Sequence, residues 1–161
     1  MKFLLRSLIV APIVILAITG CSRKEEKKET EGIPRQAQVA KKEATVVVPD
    51  AVRGKWKAVK IAVTDKTTSR DAVYTVPVGA SFTVPSSNMV IKVENFLPHF
   101  IMEGTTLTSQ SNEPKNPAAQ VRIIEDGKEI FKGWLFSLYP TTHAFQHPRY
   151  GFTLVDFIPA G

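Results

Sequence analysis

Cysteine is almost missing from this chain: Cys21 is the only one in 161 residues. That excludes an internal disulfide framework and any zinc site built on several thiolates. A domain made from this sequence must hold together on its apolar core. Histidine is nearly as scarce, with only His99, His143 and His147. A long apolar run is lacking too. The stretch Leu8 to Ile18 has about 11 residues, whereas a membrane-spanning helix needs roughly 20. Nor is there an excess of one charge. The 21 Lys and Arg face 15 Asp and Glu, for a net +6, and that excess is spread along the chain. With no basic patch legible, no nucleic-acid partner is expected.

What is there first is a leader. Lys2 and Arg6 form a short positive region, the apolar stretch follows with Pro12 inside it, and small residues stand at Thr19 and Gly20. This is the form of a secretory signal. Ile18, Thr19, Gly20 and Cys21 fill in order the aliphatic, small, Gly/Ala and Cys places of the bacterial lipoprotein signal, which the segment resembles. The resemblance implies cleavage before Cys21, a thioether-linked diacylglycerol on its sulfur and acylation of the new amino terminus. Thiolate is the side-chain nucleophile suited to that alkylation, and two or more acyl chains hold a protein stably on a membrane where one does not. Ser22, rather than aspartate, follows the cysteine. The expected location is therefore the cell envelope, on the outer membrane and facing the periplasm.

Three segments are expected: a signal peptide at 1–20, the lipidated cysteine with a charged tether at 21–55, and a domain at 56–161. The tether runs Arg23-Lys24-Glu25-Glu26-Lys27-Lys28-Glu29 and lacks aromatics. It cannot bury enough apolar surface to offset the entropy of ordering it. Within it, Val46 to Val48 reads as a short edge strand stopped by Pro49.

From Lys57 the hydrophobic period becomes two. Val59, Ile61 and Val63 share a face, as do Met89, Ile91 and Val93, which predicts half-buried strands. Further strands are expected at Ala72 to Val76, Ser81 to Val84, Val121 to Glu125, Glu129 to Phe136 and Phe152 to Ile158. In the last of these, the period puts Phe152, Leu154 and Asp156 on one side and Phe157 on the other. Asp126-Gly127 between two apolar runs is a hairpin signal, because both central residues of a type I′ turn need positive φ. Leu97 to Pro117, with Pro98, Gly104, Pro114 and Pro117, reads as a solvated excursion from which Ile101, Met102 and Leu107 tuck back. About seven short strands and no long amphipathic helix predict an all-β domain, a small antiparallel sandwich or partly open barrel.

The carboxy-terminal third carries a second resemblance. Phe131-Lys132-Gly133-Trp134-Leu135-Phe136 followed by His147-Pro148-Arg149-Tyr150 is similar to a bacterial envelope family known as domain of unknown function 2155. There, Phe-x-Gly-Trp-Met-Phe precedes His-Pro-x-Tyr and a last strand; Leu135 stands here for the methionine. The Val76-Pro77-Val78-Gly79 turn fits as well. Many members carry a cysteine after the fourth strand and another near the end of the last. Phe96 and Phe157 occupy those regions here, so the resemblance implies an aromatic contact in place of a crosslink. It implies no activity.

Chemistry-bearing residues are few. His143 and His147, four apart, would share a helix face and suit zinc or copper, with Met89 and Met102 as soft ligands. Pro148 limits any such helix, and the simpler reading has His147 capping the bend before it. Ser137 with His143 or His147 and Asp156 sketches a nucleophilic set, yet no Gly-x-Ser-x-Gly elbow accompanies it. Glycan hydrolysis needs two poised carboxylates, and most of the acidic residues read as solvent-facing. No catalytic residue, metal or cofactor is expected. Trp134, Phe136, Tyr139, Phe145, Tyr150 and Phe152 crowd the last third, mostly as core. Trp134, His147 and Tyr150 form the candidate binding face. The expected function is a lipid-anchored binding or structural module for an envelope protein or peptidoglycan. The alternatives are a small cell-wall hydrolase or, behind it, a histidine-based metal binder.

Overall fold

The computed structural model describes residues 44–161. The expected signal peptide, Cys21 and the tether up to residue 43 lie outside them. The strands are β1 Thr45–Val46, β2 Trp56–Asp65, β3 Arg70–Pro77, β4 Ser81–Thr83, β5 Met89–Leu97, β6 Phe100–Glu103, β7 Thr106–Ser109, β8 Ala118–Glu125, β9 Lys128–Phe136 and β10 Tyr150–Pro159. Among the described residues there is no helix.

Two sheets face each other. One has the order β10-β2-β3, the other β4-β5-β8-β9, and both are antiparallel throughout. Together they hold the seven strands expected of a small sandwich. Val59, Ile61 and Val63 from the first meet Met89, Ile91, Val93, Val121 and Ile123 from the second in one buried cluster. Each such side chain contributes about 1.5–3 kcal/mol by leaving water. The Asp126-Gly127 turn forms as expected, with φ of 50° and 78°.

The structure departs from the sequence expectation in three places. First, a third sheet, ordered β1-β7-β6, is built from segments given to the tether and to the excursion. β1 pairs in parallel with β7, and Val52 is 3% exposed. The fold therefore takes in residues 44–55, because Val46 and Val52 find apolar cover that the isolated tether lacks. Second, Leu97 to Pro117 is ordered by its own polar groups. His99 N–H donates to Ser109 Oγ at 2.9 Å, and Ser109 Oγ donates to the Ser111 carbonyl at 2.8 Å. Asn116 Nδ2 donates to the Phe100 carbonyl at 3.0 Å, and Trp56 Nε1 donates to Asn112 Oδ1 at 2.8 Å. Leu107 is buried as expected, but Met102 is 63% exposed.

Third, bulges break the simple alternation. β5 shifts register between Val93 and Asn95, and β10 between Leu154 and Asp156. An extra residue moves every later side chain to the opposite face. Phe96 and Phe157, outward by strict alternation, thereby turn inward and meet at 5.2 Å between ring centroids. Trp56 completes the cluster at 5.1 and 5.2 Å. Asp156, inward by alternation, instead faces out and pairs with Lys60 at 2.7 Å.

Candidate functional site

On β8, Ala119, Val121 and Ile123 face the core. Gln120 and Arg122 alternate with them and face out. Their β9 partners are Trp134 opposite Gln120 and Lys132 opposite Arg122. Gly133, opposite Val121, faces in. The Phe131 ring folds over it, so that a Cβ at 133 would collide with Phe131 Cζ. The glycine thus accommodates an aromatic two residues upstream on its own strand.

The third sheet laps over one end of this outer face. Phe100 on β6 makes edge contacts with Trp134 at 4.9 Å and Phe136 at 5.0 Å. Beside them runs a groove of about 660 Å³, whose apolar lining includes Phe100, Met102, Leu107, Trp134 and Phe136 and which Thr142 and His143 also line. Next to it, sharing Lys132 and Trp134, lies a polar recess of about 560 Å³. Arg122 holds its centre, bonded to Glu94 at 2.8 Å and to Glu129 at 2.8 Å. Gln120 and Asn95 bond each other beside it at 2.7 Å. Sequence reasoning placed Trp134 on a binding face but missed Phe100. The legible signal was Gly104 between two short runs, Phe100 to Met102 and Thr106 to Thr108, a hairpin pattern hidden among prolines.

The other two residues of the expected face are elsewhere. Tyr150 is 4% exposed in the main core, its ring stacked on His147 at 5.7 Å. His147 Nδ1 accepts the backbone N–H groups of Tyr150 at 3.0 Å and Arg149 at 3.2 Å. Its Nε2 lies 3.3 Å from Glu125 Oε1. His147 therefore caps the bend before β10. Neither residue borders the groove at Trp134.

A third recess, about 400 Å³, opens between the β2–β3 and β4–β5 turns, with Asp65, Arg70, Tyr74, Pro85 and Arg149 at its edge. Asp65 accepts hydrogen bonds from the Thr67 hydroxyl at 2.6 Å and from Arg149 at 2.9 Å. These hold its carboxyl well below the usual carboxylate range, Thr67 having the larger effect.

The sketched nucleophilic set does not come together. Ser137 Oγ donates to the Pro117 carbonyl at 3.4 Å, and Asp156 is engaged by Lys60. His143 is exposed at a φ of 50°, and no helix presents it with His147. Met89 is fully buried in the core. Among the described residues, no three His, Cys, Asp or Glu side chains gather as a metal site.

A family model described as "Uncharacterized protein conserved in bacteria (DUF2155)" matches residues 59–156. The match begins in β2 and ends in β10, so it covers both facing sheets. No curated protein and no solved structure matches the chain.

Proposed function

We propose, for a chain that belongs to the DUF2155 family of uncharacterised bacterial proteins, a non-catalytic docking role in the cell envelope. The protein is held on the membrane through lipidated Cys21 and uses the groove at Trp134 to bind another envelope protein. The observation that carries this reading is the groove itself. Met102, Phe100 and Trp134 present apolar surface beside a polar rim of Arg122 and Lys132. Aromatic anchors in a recess with a polar margin are the usual composition of a binding hot spot. Support for the anchor comes from Ile18-Thr19-Gly20-Cys21. The outer membrane, facing the periplasm, is the location this sequence favours, with Ser22 after the cysteine.

The hydrolase alternative has less support. Glu94, which lines the recess beside Trp134, and Glu129 are both engaged by Arg122, whereas glycoside hydrolysis needs one carboxyl protonated as the acid.

The test is chemical crosslinking in intact cells, purification through a carboxy-terminal tag, and mass spectrometry of wild type against Trp134→Ala. One recurrent protein partner, lost in a variant that still folds, is the expected result. Recovery of glycan fragments alone would contradict a protein partner and redirect the search to peptidoglycan binding and hydrolysis.

A further inference from the structure

We infer that the groove receives an extended segment of the partner protein, which adds itself as a strand to the open edge of β9. The inference rests on the docking role proposed above and specifies its mode. β9 is the last strand of its sheet, nine residues long, and among the described residues it pairs with β8 alone. Each residue of a strand carries one backbone donor and one acceptor, so an edge strand of this length is a template for another chain.

The lining of the groove locates it at that edge. Phe131, Lys132, Gly133 and Trp134 are consecutive, and their side chains alternate between the two faces of the sheet. The groove takes in Phe131 from the inner face and Lys132 and Trp134 from the outer one but no residue of β8, which places it at the outer margin of β9. Gly133 faces in, and the Phe131 ring fills the place of its side chain. Thr142 and His143, from the segment that follows β9, line the same groove.

Other long edges are less suited. β10 carries two register shifts and ends at Pro159, and β3 ends at Pro77. Proline cannot donate to a ladder, and bulges disrupt pairing. On β9 the register shift lies near its start, at Ile130, and leaves Phe131 to Phe136 regular.

The side chains define the partner's chemistry. Lys132, Trp134 and Phe136 lie on one face of β9, and Lys132 is in no ion pair among the described residues. A complementary strand places an acidic residue opposite Lys132 and apolar residues opposite Trp134 and Phe136, at alternate positions. In strand addition the main-chain bonds supply affinity and the alternating side chains supply selectivity.

The test introduces photoreactive benzoylphenylalanine singly at Lys132, Trp134 and Phe136, which share one face of the regular part of β9, in the full-length protein in cells. The control position is Val73 on β3, which is 57% exposed. Crosslinked peptides are then mapped on the captured protein. Strand addition predicts one partner, one short contiguous segment, and a contact point that moves about two residues for each step of two along β9. Capture of one partner at scattered sites would overturn strand addition and leave the docking role standing. Crosslinks to a second copy of this chain would make the edge a self-association surface and overturn the partner assigned here. No capture above the Val73 control would overturn both readings.

Discussion

Gly133 is the residue at which the local chemistry is tightest. The Phe131 ring occupies the space of its missing side chain, so Gly133→Ala forces that ring to move. Displacing a packed ring costs about 1–3 kcal/mol, and the melting temperature should fall by several degrees. An unchanged melting temperature would show that the ring moves freely. Asp65 gives a prediction of a different kind. Its hydrogen bonds from Thr67 and Arg149 depress its folded-state pKa. The stabilisation is therefore complete above the unfolded value of about 3.9 and is lost as pH falls toward the folded one. Asp65→Asn should melt below wild type at pH 7, and the gap should close on acidification below about pH 4. A gap that stays constant down to pH 3 would contradict the assignment. His147 shows how a single residue type misleads. Its spacing from His143 reads as a metal pair, yet a Pro follows at once, and both backbone N–H groups beyond that Pro converge on its ring.

At the scale of elements, strands with clean alternation were legible. Val59-Ile61-Val63 and Met89-Ile91-Val93 lie in the core as their period requires, and Asp126-Gly127 turns as its composition requires. Bulges were not legible, because an extra residue leaves no mark on composition. Only the family's cysteine pattern pointed to Phe96 and Phe157 as neighbours, and the two bulges bring them together. A double-mutant cycle on Phe96→Ala and Phe157→Ala should return a coupling of about 0.5–1.5 kcal/mol beyond the area they bury. Strict additivity would mean that the two rings contribute independently. The β6–β7 hairpin was hidden for another reason. Its hydrophobic residues are few, and Pro98, Pro114 and Pro117 around it read as loop. What orders it is polar: Ser109, Asn112 and Asn116 bond to backbone and to Trp56. Leu107→Ala, at its buried face, should cost about 2–5 kcal/mol, measured by urea unfolding, and should loosen the groove wall at Phe100. A loss under about 0.5 kcal/mol would show that the third sheet is only loosely attached.

For the whole molecule, the architecture is two facing sheets with a third lapping one of them at the groove. Ala44, the first described residue, borders that groove. Cys21→Ala should abolish incorporation of labelled palmitate and release the protein from the membrane fraction. Retention of both label and membrane association would refute the anchor. The fold class was legible across the molecule because period-two patterning survives in most strands. The site was legible only in Trp134, since its partners Phe100 and Met102 come from the one region where that patterning fails.

The measurement that bears most directly on the docking claim is hydrogen–deuterium exchange of the full-length protein, free and in the complex recovered with its partner. Protection is expected only in β9, the β6–β7 hairpin and the segment at Thr142 and His143. Protection instead at the recess by Asp65 and Arg149, with β9 exchanging as in the free protein, would contradict it.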